Sequence, residues 1–146
     1  MLATTETTPG RIALMTAHCA GMVDLVALPV WVGALIADYK FDPPHAGGLA
    51  TLFLAGAVVS SLFFASRFNQ MSARASAAAG FAIAACAFVA ASLTRDYLAL
   101  AAAHLVAGAS VGCALSFTHG AIGRAANPHR LFAIVGMALG VFAILF

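Results

Sequence analysis

Asp24 is the residue of this chain best placed to do chemistry. It sits in the stretch GMVDLVALPVW, Gly21 to Trp31, among neighbours that otherwise prefer to leave water. An unpaired carboxylate in hydrocarbon is costly, so its presence needs a reason. One reason is function: a carboxylate facing a wet path can exchange a proton or hold a substrate cation or hydroxyl. The other is packing: a protonated Asp24 can hydrogen-bond a neighbouring helix. On a 3.6-residue period Asp24 shares a face with Gly21, Ala27, Leu28 and Trp31, a stripe of mostly small residues closed by one large aromatic. Pro29 lacks an N–H and frees the carbonyl of Leu25 beside the carboxylate, so a bend next to a wet cavity is expected.

His104 is the second candidate, either as a titrating member of a relay or as a neutral ring bonded to a backbone carbonyl. It opens a period-four strip of His104, Gly108, Gly112, Ser116 and Gly120, whose small members let two helix backbones approach closely in lipid. Gly136 and Gly140 repeat that spacing further on. His18 and His119 fall near helix ends and are read as reaching toward headgroups, whereas His45 and His129 fall in loops. No HExxH pair, zinc-type cysteine spacing, P-loop, GxSxG elbow or GxGxxG is present, so no metal, cofactor or enzymatic activity is expected. Cys19, Cys86 and Cys113 each lie within an apolar stretch and read as small buried residues.

The elements that carry these residues are membrane spans. Of 146 residues, 63% are hydrophobic and only 8% charged, whereas soluble domains carry about 25% charged residues. A net charge of +2 without a basic run excludes nucleic acid as a partner and leaves lipid and small molecules. Residues 1–10, threonine-rich and broken by Pro9, read as a disordered cytoplasmic tail. The transmembrane region, 11–146, divides into spans at about 12–37, 47–66, 75–94, 97–122 and 131–146. The first is too long for the apolar core of a signal peptide. The last is about 16 residues, short of the roughly 20 a span needs, which reads as a helix cut before its end. The fold class expected is all-α, a polytopic transmembrane bundle of four full spans and a truncated fifth.

Counting 1.5 Å per residue places Asp24 roughly 18 to 20 Å from either end of its span, at mid-bilayer. The same count puts His104 about 10 Å below the outer surface, too far in depth for a direct pair with Asp24. With a cytoplasmic N-terminus, Arg11, Arg67, Arg74, Arg124 and Arg130 are inside and only Lys40 and Arg95 outside, as the positive-inside rule asks. Trp31, Tyr39 and Tyr97 then approach the outer interface.

A first span with a central polar residue, a basic loop after the second span and the segment HLVAGASVGCALSFTHGAIGRAANPHRLFAIVGMALG resemble the N-terminal half of a major facilitator superfamily transporter. The resemblance covers nearly the whole chain. In the loop LFFASRFNQM, Arg67 matches the family's arginine, but Leu62, Ser66 and Asn69 stand where a glycine, an aspartate and a second glycine are usual. His104 takes a place often held by arginine, and GMALG lacks the glycine–proline pair of the family's drug/proton antiporters. The resemblance implies that the first and fourth helices line a central cavity, with Asp24 and His104 facing it. It further implies a secondary transporter of the inner membrane that moves a small molecule by alternating access, with protons as the candidate coupling ion and a second half of the molecule as its partner. The competing expectation is a small membrane subunit that oligomerises through its glycine strips.

Overall fold

The computed structural model describes residues 4–145. Every regular element among them is helical: α1 (Thr8–Ala37), α2 (Pro43–Ala65), α3 (Ala73–Ser92), α4 (Tyr97–Gly123) and α5 (Pro128–Leu145), with short 3-10 turns at Thr4–Glu6 and Phe68–Gln70. All five α-helices are long and apolar enough to cross a membrane, and the chain is a multi-pass membrane protein.

Several helix starts differ from the sequence reading, for one physical reason. Proline is tolerated in a first helical turn, where no N–H is required, so Pro9, Pro43 and Pro128 open helices. α1 begins at Thr8, with the Thr7 hydroxyl accepting the Gly10 N–H at 3.2 Å. The segment Thr4–Gly10, expected to be a disordered tail, is thus a 3-10 turn followed by helix, and Met1–Ala3 lie outside the described residues. Glu6 anchors this segment, pairing with Arg11 at 3.1 Å and accepting the Ala126 N–H at 3.1 Å. α2 begins at Pro43 rather than Gly47, capped by Asp42, which accepts the His45 N–H at 2.9 Å. α5 begins at Pro128 rather than Leu131, which gives it 18 residues, long enough to count as a span; Phe146 lies outside the described residues. α3 runs two residues earlier than expected at both ends, with Ser72 as its cap.

Short connections make successive helices antiparallel. Arg11, Arg67, Arg74, Arg124 and Arg130 therefore gather at one end of the bundle, the arginine end, with Tyr39 and Tyr97 at the other. α4 is the central helix, with α2 packed along one side and α3 along another, while α1 lies against α4 and α5. The α2/α4 contact is set by small residues. A Cβ at Gly108 would fall on the backbone of Phe53, and one at Gly112 on the backbone of Ala57. Across the seam, a Cβ at Gly56 would meet the carbonyl of Leu105. The Ser61 hydroxyl donates to the Gly112 carbonyl at 3.0 Å, and the Ser116 hydroxyl donates to the Ser61 carbonyl at 2.7 Å. On the other side, Gly80 of α3 brings its backbone against the Ser110 carbonyl.

The remaining strip glycines behave differently. Gly120 receives the ring of Phe68 from the α2–α3 connection, not another helix backbone. Gly136 and Gly140, expected to pack against a helix, face open space: among the described residues nothing lies within 4 Å of where a Cβ would stand.

A candidate proton and substrate path along the α1/α4 seam

Three polar positions lie one above another along the face that α1 turns to α4. Nearest the tyrosine end, Trp31 stacks on His104, with ring centroids 5.0 Å apart and planes 9° from parallel. Phe53 meets Trp31 edge-on at 5.4 Å, and Phe88 meets His104 edge-on at 6.0 Å. The His104 Nδ1 donates to the Leu100 carbonyl at 2.7 Å, one turn back on α4. A ring that donates through Nδ1 presents Nε2 as a lone-pair acceptor when neutral. That Nε2 is buried and without a hydrogen-bond partner among the described residues. His104 is thus packed inside an aromatic cluster at 2% exposure, rather than open to a central cavity as the family resemblance implies.

Asp24 occupies the middle of the seam. It is seven residues from Trp31, about 10 Å along the helix axis, and Trp31 stands at the level of His104, on which it stacks. Asp24 is half-buried, and no side chain among the described residues pairs with its carboxylate. Beside it Gly21 is buried, with the side chain of Leu115 filling the space that a Cβ would need. α1 continues unbroken through Pro29, whose side is exposed, as is Leu25 at 52%. The proline is therefore not packed into the helix bundle.

Towards the arginine end, six residues or about 9 Å from Asp24, comes a contact that sequence reasoning missed. His18 Nδ1 and His119 Nε2 lie 3.0 Å apart across the α1/α4 seam, with His18 buried. Both rings turn inward rather than toward headgroups, and His119 also meets Phe132 of α5 at 5.7 Å. Together they offer two nitrogen donors, and no third histidine, cysteine or acid joins them as a metal ligand among the described residues.

Arg67 does not bridge helices. It donates to the Phe63 carbonyl at 2.8 Å and lies over the Phe63 ring at 3.5 Å, closing the last turn of α2. The link between the α2–α3 connection and α4 comes from Arg124, which donates to Asn69 Oδ1 at 2.9 Å and covers the Phe68 ring at 3.8 Å. Asn69, read in the sequence only as a departure from a family pattern, is therefore the residue that makes this inter-helix contact. No protein-family model, curated protein or solved structure matches the chain.

Proposed function

We propose that these five helices form the N-terminal part of a secondary transporter of the major facilitator type, which moves a small molecule across the inner membrane by alternating access. The observation that carries this reading is the Asp24 carboxylate. It lies on α1 between His18 and Trp31, the residues that meet His119 and His104 of α4, and no side chain among the described residues pairs with it. A carboxylate so placed can bind a proton or a substrate donor, and water along the seam would have to carry protons between it and the histidine sites, each about 9–10 Å away along the helix. Protons are the coupling ion this arrangement favours. The gathering of five arginines at one end supports an orientation with that end, and the N-terminus, in the cytoplasm. The resemblance described above supplies the fold family and the need for a second bundle.

Of the two glycine strips that an oligomerising subunit would use, the one on α5, with Gly136 and Gly140, faces open space, and the one on α4 is already occupied. Gly108 and Gly112 are filled by α2 of the same chain, which leaves them unavailable to a second copy.

The test is proton-linked flux by the full-length protein in proteoliposomes, screened over amino acids, sugars, organic acids and organic cations under an imposed pH gradient. Transport of at least one class, lost in Asp24→Asn while the protein stays folded, is the expected result. Unchanged flux in Asp24→Asn, or no flux with any class, refutes the reading.

A further inference from the structure

The His18–His119 contact has a proton stoichiometry built into it. A ring nitrogen donates only when it carries a hydrogen and accepts only when it does not. Two neutral rings 3.0 Å apart therefore share one N–H between them. Adding one proton to the pair leaves an imidazolium donating to a neutral imidazole, and the contact survives as a charge-assisted bond. Adding a second leaves two N–H groups facing each other with no acceptor and two like charges in van der Waals reach.

The surroundings offer little to offset that repulsion. On α1 the nearest charged groups are Asp24, six residues towards the middle, and Arg11, seven residues towards the end and already paired with Glu6 of the preceding turn. On α4 the next charge is Arg124, five residues on and engaged with Asn69. On α5, His129 and Arg130 precede Phe132 at the exposed helix start. At the same end, Arg67 and Arg74 belong to the α2–α3 connection and its flank, and the titratable thiols are Cys19 and Cys113. Every fixed charge on these elements apart from Asp24 and Glu6 is positive.

We propose that His18 and His119 form a one-proton site that latches α1 to α4, and that uptake of a second proton from the aqueous phase at the arginine end releases the latch and opens the seam there. As a coupling element the latch rests on the transport reading; as a proton site it stands on the seam geometry alone.

The experiment uses the full protein in lipid nanodiscs, labelled with 15N-histidine and titrated from pH 8.5 to 4.5. Two imidazole signals joined by a through-bond nitrogen–nitrogen coupling at high pH are expected. The coupling should persist through the first protonation and vanish with the second. In parallel, spin labels at Ile12→Cys on α1 and Gly123→Cys on α4, with the native cysteines replaced by alanine, report the seam at two exposed positions. Their distance should lengthen with the second protonation, and His119→Gln should abolish that pH response. Independent titration of two uncoupled rings, or a label distance unchanged through both steps, overturns the proposal. If His119→Gln fails to fold, the titration of the unsubstituted protein decides alone. A latch that titrates as described in a protein that moves no solute would sink the transport reading and leave this inference standing.

Discussion

Replacing Gly108 by alanine tests the packing on which the α1/α4 seam rests. The added methyl would meet the carbonyl oxygen, the carbonyl carbon and the Cα of Phe53, all inside van der Waals contact and all backbone, so no side-chain rotation can relieve it. α2 and α4 must separate, and overpacking of this kind costs about 1–3 kcal/mol. Separation also stretches the Ser61–Gly112 and Ser116–Ser61 hydrogen bonds, of a type that averages about 0.6 kcal/mol each in membranes. Against this, alanine is a better helix former than glycine by about 1 kcal/mol. The net expectation is a loss of about 2 kcal/mol, or roughly 30-fold in the folding equilibrium. Gly136→Ala is the control. It carries the same propensity gain with nothing within 4 Å to strike, so it should be neutral or slightly stabilising. Reversible unfolding in mixed micelles with increasing dodecyl sulfate, read from the fluorescence of the single tryptophan Trp31, measures both. Equal stability of Gly108→Ala and Gly136→Ala would refute the close approach of α2 and α4.

Three further outcomes follow from the same contacts. Ser61→Ala and Ser116→Ala should each cost about 0.6 kcal/mol, and the two losses should add in the same micelle assay, because Ser116 donates to the backbone carbonyl of Ser61, which Ser61→Ala leaves in place. The Asp42 carboxyl is held below the ordinary carboxylate range by the His45 N–H and then by the His45 ring, 2.5 Å away. Its stabilising effect is therefore complete above about pH 3.9 and lost as pH falls through the depressed value; Asp42→Asn should remove that acid-limb dependence from the unfolding profile. His104→Phe keeps an aromatic ring against Trp31 and eliminates the unpartnered Nε2, a gain of about 1–3 kcal/mol, but gives up the Nδ1–Leu100 bond, a loss of about 0.5–1.5 kcal/mol, so it should match or exceed the native stability by about 1 kcal/mol. If the histidine serves proton movement, the same variant should lose proton-linked flux in proteoliposomes.

How much of this was legible in the sequence depended on whether the signal was local. Five spans follow from runs of apolar residues, and the strip containing Gly108 and Gly112 announces close packing by its spacing of four. That spacing states a capacity without naming a partner. Gly112 meets the backbone of Ala57, Gly120 meets a loop aromatic because α2 has already ended at Ala65, and Gly136 meets nothing within 4 Å. Prolines misled the boundaries because one residue type both stops a helix and starts the next; the Asp42 cap preceding Pro43 and Pro44 was the available clue. The histidine pair is separated by 101 positions. Depth counting puts both rings near the same end of the bundle, but it carries no information on the rotation that turns them toward each other across the α1/α4 seam.

The division of labour within α4 explains why any movement belongs to α1. Towards α2 and α3, α4 presents Gly108, Gly112 and the backbone around Ser110, contacts between backbones that any shift would turn into voids or clashes. Towards α1 it presents Leu115 in the notch of Gly21 and two histidines against a tryptophan and a histidine, contacts between side chains. Side chains can change rotamer and protonation state, and backbones cannot. The ionisable residues of the bundle interior thus lie on the one α4 face able to respond to them, and α5, which leans on α1 rather than on α2 or α3, is placed to move with it.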